Sequence, residues 1–260
     1  MLYTRYRYAS EFCRGKRLLE VACGQCIGLR YLAQHARHTV GGDVTVELLN
    51  RARHTLQGMI PLLRLDAEAL PLRTASREVI VCYEAIYYVE HPLRFLRECR
   101  RVLSPQGLLI LCTVNPEWSD FNPSPYNRQY HSARRLLTLL QEAGFQAEIS
   151  GAFPVAAASV RASVSWIKRA AVAFHMIPST MKGKRFLKRL FLGKLVRFPA
   201  TVEDGMTVYC PPVPISLERT LTDHKILFAV CRPADPSAEF PLDEPTGVGR
   251  LPADLGPTLG

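Results

Sequence analysis

Apolar residues recur along the first half of the chain in two alternating rhythms. Short apolar runs appear at Arg17–Ala22, Thr39–Gly42, Pro61–Leu65, Glu78–Cys82 and Leu108–Val114, each of strand length. Between them the apolar positions fall three and four residues apart. Leu48, Leu49, Ala52 and Leu56 share one face of Val46–Leu56, and Leu93, Leu96, Cys99 and Val102 share one face of Pro92–Val102. Residues 1–16 read as a lead-in helix whose Tyr3, Tyr6, Tyr8 and Phe12 pack over the first turn. Ser104-Pro105-Gln106-Gly107 reads as a turn into a fifth, wholly apolar strand.

Strands alternating with helices of this length specify an open parallel sheet covered on both faces. Ligands of such sheets lie beyond the carboxyl ends of the strands. The polar and glycine positions sit there: Gly24 and Gly28 after strand one, Asp43 after strand two, Asp66 after strand three and Glu84 after strand four. The first of these ends, Glu20-Val21-Ala22-Cys23-Gly24-Gln25-Cys26-Ile27-Gly28, is a strand, a tight turn and a helix start marked by Leu29, Tyr31, Leu32 and Ala33. Such a unit holds nucleotide-like ligands, its glycines letting the main chain approach closely. It is not a nicotinamide fingerprint, because Gly24-Gln25-Cys26-Ile27-Gly28 lacks Gly-x-Gly-x-x-Gly.

A chain of 260 residues, 48% hydrophobic and 22% charged, has an ordinary globular composition. A formal net charge of +10 is not ordinary, and it points to an anionic partner or to solubility. The eight cysteines lie mostly within apolar patterns and read as reduced structural thiols, which suits the cytoplasm. Cys23-x-x-Cys26 has the spacing of a metal or redox pair but no second pair or His cluster, so no metal is expected. No leader pattern opens the sequence and no apolar run approaches the roughly 18 residues of a membrane span, so a soluble protein is expected.

Taken together, these residues resemble the class I S-adenosylmethionine-dependent methyltransferases, in particular the small-molecule branch called type 11. Glu20, Ala22, Gly24 and Cys26 stand where that family's first motif has an acid and three small residues. The resemblance implies that Asp43 binds both ribose hydroxyls, and that Asp66-Ala67 holds the adenine through its carboxylate and the following amide. Arg101–Leu109 resembles the turn into strand five, Tyr130–Phe145 the helix leading into strand six (Gln146–Ser150), and His224–Val230 the closing strand. The implied fold is a Rossmann-like, doubly wound, mostly parallel seven-stranded sheet with an α-helical basic insertion before the last strand. Its methyltransferase domain spans 1–232, with a core of 16–151 and 223–232 and an insertion of 152–222. The implied cofactor is S-adenosyl-L-methionine, contacted by Glu20, Ala22, Gly24, Gly28, Asp43, Asp66, Ala67 and Glu84. Ala22 and Cys26 replace the usual glycines and tighten the turn, and Cys26 fits if its side chain points away from the ligand.

The resemblance implies a small-molecule, sugar or lipid-linked acceptor. A hydroxyl acceptor needs a proton acceptor as well, and the candidates after strand four are Tyr87, Tyr88, Glu90 and His91, with His91 and Tyr88 taken as the catalytic pair. The span from Ile149 to Val202 carries no acid, while Arg161, Lys168, Arg169, Lys184, Arg185, Lys188, Arg189, Lys194 and Arg197 lie within it. It reads as two amphipathic basic helices, either a lid over the acceptor pocket or a surface for membrane lipid or a phosphate-linked glycan through 161–197. Nucleic acid is not expected, since no stacking platform accompanies the charge. Residues 233–260 read as a disordered tail rich in Pro and Gly. A degenerate homologue that binds through its basic insertion is the non-enzymatic alternative.

Overall fold

A computed structural model describes residues 1–155 and 199–234. The expected basic helices of 161–197 lie outside the described residues, as does the expected tail of 233–260 except for its first two residues: Pro233 ends a strand and Ala234 is buried. In chain order the elements are α1 (Leu2–Cys13), β1 (Arg17–Val21), α2 (Leu29–Ala33), β2 (His38–Asp43), α3 (Val46–Leu56), β3 (Leu62–Arg64) and β4 (Arg77–Tyr83). A 3-10 turn (Ile86–Tyr88) comes next, then α4 (Pro92–Val102), β5 (Leu103–Val114), α5 (Ala133–Glu142), β6 (Phe145–Pro154), β7 (Val213–Pro214) and β8 (His224–Pro233).

The strands form one eight-stranded sheet in the order β3-β2-β1-β4-β5-β8-β6-β7. The pairs from β3 across to β5 are parallel, and β8 runs antiparallel between β5 and β6. This is the expected doubly wound sheet with one addition. The two-residue β7, from the segment before β8, pairs with Ser150 and Gly151 on the outer edge of β6. Pro214 at that edge has no N–H to offer a further strand, which closes the sheet there.

The period of two decides which side chains meet which helix. Leu18 on β1 and Val79, Val81 and Tyr83 on β4 pack with Tyr3, Tyr6, Ala9 and Cys13 of α1. Leu19 and Val21, one residue out of phase, pack with Ile80, Cys82, Phe95, Leu96 and Leu136 under α4 and α5. Glu20 shares the parity of Leu18, so its carboxylate faces α1 rather than the α4 side.

One local expectation is corrected. Ser104–Gly107 is not a free turn, because β5 begins at Leu103 and Arg77 pairs with Leu103. The register then jumps to Val79 opposite Leu108, so the intervening residues bulge out of the ladder instead of ending it. Among the described residues, no helix is long and apolar enough to cross a membrane. Seven of the eight cysteines are buried, Cys210 is exposed, and all are free.

Candidate active site

The strand order reverses between β1 and β4: the chain runs outward from β1 through β2 to β3, then returns to place β4 on the other side. That reversal opens a crevice at the carboxyl ends, the usual seat of a ligand in an open α/β sheet. Glu20, Asp43 and Glu84 stand on β1, at the end of β2 and just beyond β4, on the strands beside that reversal.

The turn after β1 is built on left-handed backbone at three positions: Ala22 (φ 56°), Gly24 (φ 55°) and Cys26 (φ 57°). Two of the three carry a Cβ in a conformation that glycine adopts without cost. Cys26 points away from the crevice. Its thiol is buried 3.3 Å from that of Cys23, among Leu29, Leu49, Ala52 and Leu56. Nothing lies within 4 Å of where a Cβ would stand on Gly24, so the main chain there is open to a ligand.

Gly28 has a different role from the conformational freedom expected of it. Its φ is −104°, open to any residue. What the position supplies is room, because a Cβ there would stand 2.1 Å from the Tyr6 ring. Tyr6 reaches over the turn from α1 and donates its hydroxyl to Glu20 Oε1 at 2.7 Å. The other carboxylate oxygen, Glu20 Oε2, is buried without a partner. Burial pushes the Glu20 carboxyl up to about 7, against the pull of the Tyr6 hydroxyl and with a further push from Asp43.

Asp43 is buried and ties the cradle together. Oδ2 accepts the Gly24 amide at 2.9 Å, and Oδ1 accepts that of Thr45 at 2.8 Å. Asp66 is exposed and accepts the amide of Glu68 at 2.9 Å, with Ala67 between them. Glu84 follows β4 with φ 53°, left-handed for a non-glycine residue, and its amide is fixed on Cys112 O at 2.7 Å. Its carboxylate pairs with the Arg5 guanidinium and accepts the Tyr87 hydroxyl at 2.9 Å.

The two residues expected to be catalytic stand further out. The His91 ring is 64% exposed, and its Nδ1 lies 2.8 Å from Glu68 Oε2. Glu68 Oε1 also accepts the amides of Glu90 and His91, so this carboxylate pins the start of α4 to the loop after β3. Tyr88 is half exposed and packs edge-on against Tyr87 at 4.7 Å between centroids.

Sequence reasoning placed Tyr6 above the first turn but missed its hydroxyl bond to Glu20, and it missed Arg5 altogether. Adjacent on α1, the two reach the ends of the adjacent strands β1 and β4. Arg5 and Arg7 both stand among the tyrosines of this helix, and the pattern alone does not distinguish which of them meets a strand end. Also missed was Asp204, which accepts the hydroxyls of Tyr31 at 2.7 Å and Tyr3 at 3.2 Å and so ties α1 to the segment before β8. Among the described residues there is no cluster of three or more His, Cys, Asp or Glu that could hold a metal ion.

Comparison with known proteins bears on this geometry. Residues 19–111 match the family model described as a methyltransferase domain. The phthiotriol/phenolphthiotriol dimycocerosates methyltransferase 1 of Mycobacterium ulcerans is 38% identical over 122 residues, 43% of this chain and 44% of that protein. The ubiquinone biosynthesis O-methyltransferase of Haemophilus ducreyi is 32% identical over 111 residues, 39% of this chain and 46% of that one. The chain spans about half the length of the curated relatives it matches, 57% and 52% for two mycobacterial ones. Among solved structures, an S-adenosylmethionine-dependent methyltransferase from Archaeoglobus fulgidus superposes with a TM-score of 0.56 over 87% of this chain and 90% of its own, at 12% identity. At that identity the likeness is one of fold.

Proposed function

We propose that this chain, whose residues 19–111 match the methyltransferase-domain family model, transfers a methyl group from S-adenosylmethionine to a small-molecule or lipid-linked acceptor. The observation that carries this is the crevice at the β1–β4 reversal, where a buried, unpartnered Glu20 oxygen and the open main chain at Gly24 lie beside the Asp43 carboxylate. A cationic, nucleoside-bearing ligand fits that set of acceptors. Asp43 would take the ribose hydroxyls and Asp66-Ala67 the adenine edge. Glu20, Ala22, Gly24 and Gly28 would line the methionine end, with Glu84 at the far wall.

When bound, the cofactor supplies a methyl group already activated on a sulfonium. What remains for the protein is alignment: holding the acceptor atom in line and shutting out water. The turn and Asp43 fix one partner. The aromatic wall of Tyr87, Tyr88 and Tyr130 is placed to hold the other, its rings 4.7 and 5.5 Å apart. Relatives named for phthiotriol and ubiquinone support an apolar acceptor reached from that wall. His91 and Tyr88 remain candidates for receiving a proton.

The test is calorimetric titration with S-adenosylmethionine and S-adenosylhomocysteine, alongside Asp43→Asn. Micromolar binding that the variant weakens at least tenfold is the expected result, a loss of about 1.4 kcal/mol. A folded wild type that binds neither ligand overturns the proposal and favours the non-enzymatic alternative.

A further inference from the structure

We infer that Glu84 is the proton acceptor for a phenolic hydroxyl, with Arg5 and Tyr87 holding it to that task; the inference rests on the methyl-transfer reading above. Three independent observations converge on this carboxylate. It is the first residue beyond β4, on the crevice side of the β1–β4 reversal. Its backbone is left-handed at φ 53° and pinned by the 2.7 Å bond to Cys112 O. Non-glycine residues keep such conformations where the surroundings force them, and functional sites are enriched in them. Its side chain is 26% exposed, reachable from the crevice yet fixed by Arg5 and Tyr87.

Arg5 adds the second element. Its side chain is only 16% exposed, and its Nε is buried with no partner, although its terminal nitrogen pairs with Glu84. The guanidinium fixes the carboxylate, and the carboxylate accepts the hydroxyl O–H.

The aromatic class follows from the adjoining wall. Tyr87 packs at 4.7 Å on Tyr88 and at 5.5 Å on Tyr130, and Tyr130 at 4.7 Å on Phe121. With Tyr88 half exposed, this wall presents ring surface beside Glu84, matched to a flat aromatic ring. In the transfer, the acceptor oxygen bonds the methyl carbon and the electron pair of the old bond stays on the donor sulfur. The hydroxyl proton passes to Glu84 and then to solvent. As the new bond forms, the oxygen becomes oxonium-like and its proton strongly acidic, so a carboxylate suffices as acceptor. His91 is less suited, its ring being 64% exposed.

The experiment measures S-adenosylhomocysteine binding first, then methyl transfer from saturating S-adenosylmethionine to catechol across a range of pH, with wild type, Glu84→Gln and Glu84→Asp. The expected result is turnover by wild type, partial recovery in Glu84→Asp, and a kcat about a hundredfold lower in Glu84→Gln that recovers as pH rises through the phenol's own ionisation, since a phenolate needs no proton acceptor. A Glu84→Gln variant that turns over like wild type at neutral pH overturns the assignment. So does a wild type that binds S-adenosylhomocysteine yet does not methylate catechol. A wild type that fails to bind S-adenosylhomocysteine overturns the methyl-transfer reading, and this inference with it.

Discussion

The Tyr6 hydroxyl donates to Glu20 Oε1 at 2.7 Å across the gap between α1 and β1, and the partner oxygen of that carboxylate is left buried and unmatched. One bond thus ties α1 to β1 and leaves a buried acceptor beside it.

The first expectation concerns pH. Burial raises the Glu20 carboxyl from an ordinary 4.5 to about 7, so between those values the folded chain holds a proton that the unfolded chain has lost. This group's contribution to stability is therefore full below 4.5 and falls away as pH rises through 7, by up to on the order of 3 kcal/mol. Glu20→Gln, which cannot ionise, should be the more stable form at pH 8 and lack that slope. Urea unfolding at pH 5 and pH 8 checks both. Tyr6→Phe removes a bond that favours the charged form and should steepen the alkaline loss.

A related expectation concerns the cofactor. A cationic methionine end near Glu20 Oε2 favours the ionised carboxylate, so binding near pH 7 should release protons from Glu20. Titration of S-adenosylmethionine in two buffers of different ionisation enthalpy measures the release, and Glu20→Gln should abolish it. Equal heats in the two buffers for wild type would place the charge elsewhere.

Gly28→Ala tests the packing of α1. The added carbon would stand 2.1 Å from the Tyr6 ring, closer than any real contact, so Tyr6 must leave its seat. We expect a loss of about 2 kcal/mol or more, since overpacking and the broken Tyr6–Glu20 bond act together. In the Tyr6→Ala background the same substitution should cost far less. A double-mutant cycle reads that coupling, and additive losses would rule the contact out.

Much of this was legible in the sequence because the sheet follows from periodicity. Runs such as Leu108–Val114 bury both faces, and helices such as Pro92–Val102 bury one. Asp43, Asp66 and Glu84 were placed correctly at strand ends because a strand ending on an acid is visible in one dimension. The partners of those acids were not. That Arg5 meets Glu84 depends on how α1 lies across β1 and β4, which no local pattern encodes. Likewise, Gly28 looked like a conformational glycine until Tyr6 was seen against it. The bulge at Ser104–Gly107 was hidden because Pro and Gly mark a turn and a bulge alike.

Ala22 and Cys26 separate backbone strain from packing. Both are left-handed, at φ 56° and 57°, and each should gain about 1 kcal/mol from glycine on that ground alone. Ala22→Gly should realise the gain as a Tm about 2–4 °C higher. Cys26→Gly also removes a thiol buried against Cys23, Leu29 and Leu49, which offsets the gain and leaves it near neutral. Thermal melts of both variants settle the point. A Cys26→Gly protein as stabilised as Ala22→Gly would mean that the thiol contributes no packing.

Arg101 stitches the loop after β3 to α4, and so controls the Asp66-Ala67 edge from a distance. Its guanidinium donates to Leu72 O at 2.8 Å, to Leu70 O at 3.0 Å and to both oxygens of Glu98 at 2.8 Å. Glu98 in turn accepts the Leu70 amide at 2.9 Å, so one fork and one carboxylate satisfy three backbone groups. Arg101→Ala should cost about 1–3 kcal/mol in unfolding experiments. Arg101→Lys should recover little, because a single ammonium cannot reproduce the planar fork. The same variants should weaken S-adenosylmethionine binding through the loosened Asp66-Ala67 loop while leaving kcat at saturation almost unchanged. A variant that loses kcat at unchanged affinity would put Arg101 in contact with the reaction itself, against the structural role its hydrogen bonds assign it.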